Sequence, residues 1–125
     1  MIIARAYEIE GYKSPPPFER ILKVLISPEI QKDVRNISVG MTLLPPGCKS
    51  SSHIHDSEEE TWYVLSGRGR VIVGDEEADV CKDTVIVITP GLAHQLVNTG
   101  DETFKVLWIY TPPGSEKAVL NQKHV

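Results

Sequence analysis

Residues 61–74 read Thr61-Trp62-Tyr63-Val64-Leu65-Ser66-Gly67-Arg68-Gly69-Arg70-Val71-Ile72-Val73-Gly74. Two runs rich in β-branched and aromatic residues flank a Ser-Gly-Arg-Gly break, a pattern that predicts two strands joined as a hairpin by a glycine-bearing turn. The chain keeps the same texture outward in both directions. Upstream, residues 34–44 alternate loosely and stop at Pro45-Pro46-Gly47, and the apolar run 21–26 is closed by Ser27-Pro28, so each predicts a strand. Downstream, residues 75–79 read as an acidic turn and Val80-Cys81 as a brief strand. Residues 83–89 are a continuous branched run ended by Pro90-Gly91, 94–98 give another strand, and 104–110 give a last one stopped by Pro112-Pro113-Gly114. Only 116–121 suits a helical turn or two. The first 20 residues, with Pro15-Pro16-Pro17, read as an extended N-terminal arm, because proline donates no ladder hydrogen bond. Short strands about 8–12 residues apart with turns between them predict an all-β sandwich or barrel rather than a βαβ fold. At this length the expectation is one domain, a jelly-roll β-barrel over residues 21–125 preceded by the arm 1–20.

Composition agrees. Val, Ile and Thr make up 32 of 125 residues and Ala only 5, which favours strands over helices. The net charge is −4, from 13 basic and 17 acidic residues, and the nearest thing to a basic cluster is Arg68 and Arg70 around Gly69. That gives no footing for nucleic acid. No apolar run approaches 18 residues, so no membrane span is expected. Met1-Ile2-Ile3-Ala4-Arg5 lacks the marks of a secretory signal, and two cysteines are too few for a disulfide scaffold, so a cytoplasmic address is the default expectation. The run 21–26, read as an apolar edge strand outside the minimal barrel, predicts a homodimer that covers it.

Chemistry concentrates in the histidines. His53, His55 and His94 sit at strand ends beside turn-rich segments, while His124 is next to the last residue. His53 and His55 are two apart, so in extended chain both rings point to one face. Glu60 joins them if the segment 56–59 bends, and His94 begins a later strand. Three imidazoles and one carboxylate converging inside a barrel suit one divalent transition metal such as Mn, Fe, Co, Ni or Zn. Without a metal the same groups form a costly buried polar cluster.

With those residues in view the chain resembles the cupins. Gly47-x5-His53-x-His55-x4-Glu60-x6-Gly67 matches that family's first motif at every fixed position, and Gly91-x2-His94-x3-Asn98 matches the end of its second. Asp83 and Thr89 stand where the second motif has Gly and Pro. The resemblance implies a small single-domain member with a double-stranded β-helix and its motifs within residues 41–110. It also implies metal ligands His53, His55, Glu60 and His94. Cupins with this motif include sugar-phosphate isomerases and epimerases, dioxygenases, decarboxylases and proteins that only bind ligands, so the family alone selects no reaction.

Each element also has a plainer reading. Gly67 and Gly69 are turn residues, because no helix follows them as a phosphate loop requires. Glu58 and Glu59 read as solvated rim charges, Cys48 as an exposed loop thiol and Cys81 as a small apolar residue in a strand. Parity along the strands predicts a pocket wall of Met41, Leu43, Trp62, Leu96 and Trp108, an apolar set that argues against a highly hydroxylated substrate. The sequence therefore points to a metal-dependent enzyme on a small oxygen-rich metabolite, of isomerase, epimerase or dioxygenase type, with Glu60 as both ligand and catalytic group. A non-enzymatic, metal-anchored binding or sensing module is the alternative.

Overall fold

In the computed structural model, which describes residues 1–122, the two runs on either side of Gly67 do not pair with each other. Nine strands form: β1 (Tyr12–Ser14), β2 (Arg20–Ile26), β3 (Ser38–Leu44), β4 (Glu59–Ser66), β5 (Arg68–Val73), β6 (Glu76–Cys81), β7 (Val85–Ile88), β8 (His94–Asn98) and β9 (Phe104–Thr111), followed by a short helix α1 (Lys117–Leu120). One sheet has the order β1-β2-β3-β9-β4-β7 and the other β6-β5-β8. The chain thus passes from one sheet to the other at Gly67, a single linking residue with φ 82°, where a side chain would meet the Thr103 carbonyl. One residue turns a corner between sheets but is too short for a hairpin loop. The hairpin lies one element later, where Val73 pairs with Glu76 around Gly74-Asp75. The acidic segment read as a turn is the edge strand β6. Charged residues belong on such an edge, and Glu77 and Asp79 both pair with Arg70.

The architecture is all-β and of the double-stranded β-helix kind, built as two sheets. Val24, Leu44, Trp62, Val64, Val71, Ile88, Leu96, Phe104, Val106 and Trp108 form one core between them. Each such side chain fully removed from water contributes about 1.5–3 kcal/mol. Two glycines make room for aromatic rings: a Cβ at Gly69 would strike the Phe104 ring of the other sheet, and one at Gly40 the Trp108 indole of the neighbouring strand.

Two readings of the N-terminal third change. Tyr12–Ser14, inside the expected arm, is a strand that pairs with Arg20–Leu22. In consequence the first half of β2, Arg20 to Leu22, is not an edge but lies between β1 and β3, and further along it Val24 and Leu25 are buried in their own chain. His124 lies outside the described residues. Among the described residues no helix is long and apolar enough to cross a membrane.

Candidate metal centre

The chain bends at Asp56-Ser57 before β4 begins, and this bend brings Glu60 to the same place as the histidines before it. Backbone bonds fix the rest. His53 and His94 bridge antiparallel, with N–H to carbonyl distances of 3.0 and 2.8 Å, and the Gly91 N–H donates to the His55 carbonyl at 2.8 Å. One nitrogen each of His55 and His94 and one oxygen of Glu60 lie within 4.8 Å of one another. Glu60 Oε1 is 3.3 Å from His55 Nε2 and 3.0 Å from His94 Nε2. It is buried, yet it accepts no hydrogen bond of good geometry among the described residues. Short contacts among three lone-pair-bearing atoms, with no proton directed between them, are what a shared cation would satisfy. The residues fit a divalent transition metal.

The other polar atom of each residue is occupied. Trp62 Nε1 donates to Glu60 Oε2 at 2.6 Å. His94 Nδ1 lies 3.0 Å from the Leu92 carbonyl, so Nδ1 carries a proton and, in the neutral ring, Nε2 keeps its lone pair. His55 Nδ1 is 2.8 Å from Ser115 Oγ, which is 2.6 Å from Glu58 Oε1. The Ser115 hydroxyl donates to the carboxylate and accepts from the ring, which again leaves Nε2 free. Burial works to raise the Glu60 carboxyl, but its contacts with His55, His94 and the Trp62 N–H outweigh burial and hold it below its ordinary value. Burial lowers His94, whereas the Glu60 contact and the Leu92 carbonyl raise it, and the net direction is up.

His53 stands apart from this cluster. Its ring is nearly parallel to that of His55, with centroids 6.3 Å apart, as the two-residue spacing predicts. The residue as a whole is exposed and its Nε2 lies 3.1 Å from Ser51 Oγ, while the ring, facing into the cavity, is partly desolvated, which, followed by Arg20, lowers its pKa. It lines the same cavity without converging on Glu60 Oε1.

That cavity, about 340 Å³, is walled by Trp62, Leu96 and Trp108 as parity predicts, but not by Met41 or Leu43. On β3 the inward set is Gly40, Thr42 and Leu44, one residue out of step with the expectation. The reason is the Trp108 indole, which packs over Gly40 and donates to Thr42 Oγ1 at 3.1 Å. A hydroxyl with a buried partner takes the inward position that apolarity alone assigns to methionine and leucine. The wall is also more polar than expected, since Arg20, Ser50, Tyr110 and Ser115 belong to it. Tyr110 was legible by parity with Trp108. Arg20 was hidden in the arm, and Ser115 follows the last strand, where no pattern signals a return to the site. Glu58 is no free rim charge but the anchor of Ser115, whereas Glu59 is exposed. The cysteines exchange roles: Cys48 packs against the core and Cys81 is exposed. Asp83, at the motif's glycine position, adopts the left-handed conformation at φ 66°, which aspartate tolerates better than most residues.

A two-sheet β domain with a His-His-Glu cluster between its layers defines a class of small metal-site proteins. The comparisons agree. The family model for the Cupin domain matches residues 40–110. An uncharacterized protein of Methanocaldococcus jannaschii is 34% identical over 97 residues, 78% of this chain and 77% of its own. A predicted oxalate decarboxylase of Thermotoga maritima superposes with a TM-score of 0.80 at 22% identity, covering 90% of this chain and 100% of that one. An RmlC-like cupin of Shewanella frigidimarina does so with a TM-score of 0.74 at 13% identity, covering 94% and 96%. The chain belongs to the cupin family.

Proposed function

We propose that this cupin is a metal-dependent enzyme acting on a small oxygen-rich metabolite, with His55, Glu60 and His94 as ligands and His53 completing the set by a turn of its side chain. The observation that carries this reading is the buried, orphaned Glu60 Oε1 between two imidazoles whose protons are held on the far side. A divalent ion held there supplies a Lewis acid that polarises a substrate oxygen. The chain itself supplies a proton site. Tyr110 lines the cavity with its ring edge against His55, 5.1 Å between centroids. Burial first, and then Glu60, Glu58 and Glu116, push its hydroxyl well above the ordinary value of 10.0, so it keeps its proton at neutral pH. A neutral phenol beside the cluster is a hydrogen-bond donor for a substrate oxygen, a role that isomerisation or epimerisation of a carbonyl compound can use. The cavity volume suits a small metabolite.

Elemental analysis of the purified protein should find one equivalent of a divalent transition metal, and exchange of His55 and His94 for Ala should remove it. Pools of sugar phosphates, keto acids and phenolic diols, incubated with and without air and followed by mass and chromatography, should show an isobaric change. Stoichiometric metal in the double variant would defeat the ligand assignment. Ligand returned unchanged from every pool would leave a metal-anchored binding module.

A further inference from the structure

Arg20 opens β2, is 8% exposed, and is the one guanidinium that lines the cavity of the His55, Glu60 and His94 cluster. Burying a charge without a counter-charge is costly, and among the described residues no carboxylate lies within ion-pair distance of it. Its hydrogen bonds go to neutral acceptors. Nη1 donates to the Phe18 carbonyl at 2.8 Å and to Ser14 Oγ at 3.3 Å, while Nη2 has only Ser51 Oγ at 3.4 Å. One edge of the fork is therefore held in place, and the charge is left uncompensated. Ser51 Oγ is also 3.1 Å from His53 Nε2, so the guanidinium and His53 stand one hydroxyl apart. Leu22, Leu96 and Val119 also belong to the wall.

We propose that Arg20 is a substrate-anion clamp, and that the cavity takes a small carboxylic acid whose carboxylate sits on the Arg20 fork while a second oxygen faces His55, Glu60 and His94. The proposal rests on the metal-dependent reading and gives its substrate a class. A planar guanidinium matches a carboxylate with two parallel hydrogen bonds. A neutral sugar has no use for a buried cation.

The test is calorimetric titration of the metal-free and manganese-loaded protein with pyruvate, glycolate and malonate, each beside its neutral amide, and with inorganic phosphate. In the wild-type protein at least one acid should bind about tenfold or more tightly than its amide, and more tightly than phosphate. Arg20→Gln should abolish that preference and Arg20→Lys should keep part of it, a loss of the order expected for a charged hydrogen bond. Acids that bind no better than their amides, phosphate that binds tightest, or a folded Arg20→Gln that keeps the preference would each overturn the proposal. The acid–amide comparison needs no variant, so a misfolded Arg20→Gln leaves the test intact. A protein that takes up manganese but shows no preference for acids overturns the clamp and leaves the metal reading standing. One that binds no metal yet prefers acids over amides does the reverse.

Discussion

A carboxylate and two imidazoles converge only if each is prevented from turning toward a better hydrogen bond elsewhere. Here the restraint is residue by residue: the Trp62 indole on Glu60, the Leu92 carbonyl on His94, and the Ser115 and Glu58 pair on His55. Partners of this kind typically set metal affinity within a factor of about 10–100. Trp62→Phe keeps an aromatic ring in the core but frees Glu60 Oε2 to rotate, so metal affinity, measured by competition with a chelator, should fall within that range. An unchanged affinity would show that the indole N–H does not hold the ligand. Ser115→Ala should act similarly, with little effect on stability because the site is half-buried. These two residues differ in how legible they were. Trp62 shares strand parity with Glu60, and strand parity is local. Ser115 reaches His55 from 60 positions away, a contact that exists only once residues 112–120 fold back over the site.

At the scale of elements, strand existence was legible almost throughout, because β-branched runs and Pro-Gly stops are local signals. Pairing was not. Thr61 to Gly74 contains two strands whichever way they pair, and the choice between a hairpin and a corner depends on the single residue Gly67 and on what lies across from it. The same holds for β3, whose inward face is decided by the indole of a strand more than 60 residues later. Gly40→Ala tests that account. Its Cβ would come within 2.1 Å of two Trp108 ring atoms and 2.6 Å of the Lys23 carbonyl, and backbone cannot yield as a side chain can. The variant should lose about 1–3 kcal/mol, the usual cost of overpacking, and the Trp108 to Thr42 hydrogen bond with it. Denaturant unfolding followed by tryptophan emission reads both. An unchanged midpoint would mean that the indole has room to move.

In the whole molecule, buried polar contacts reinforce the long-range sheet ladders that join distant parts of the chain. Val24 packs into the core of its own chain and is 6% exposed, so a charge there should unfold the protein rather than change its mass in light scattering. A folded Val24→Asp of halved mass would restore this strand as a subunit contact. The end of β2 is in turn fastened to the C-terminal segment through Glu116, which is 1% exposed. It accepts from Ser27 Oγ at 2.6 Å, across 89 positions, and from the Gly114 N–H at 2.7 Å. Burial alone would raise this carboxyl, but the Ser27 hydroxyl and the Gly114 N–H outweigh it, and the folded protein holds it below the ordinary value of 4.5. A carboxyl depressed on folding stabilises the native state above its unfolded value and loses that contribution as pH falls through its folded value. Glu116→Gln should therefore cost about 1–3 kcal/mol at neutral pH, where a hydrogen-bonded buried charge is lost. The gap between the two proteins should stay constant down to about pH 4.5 and close below it. Parallel denaturant titrations from pH 7 to pH 3 measure this directly. A gap that widens on acidification would mean that Glu116 is protonated in the folded state, and that the tether from Ser27 to the metal-site segment is a neutral one.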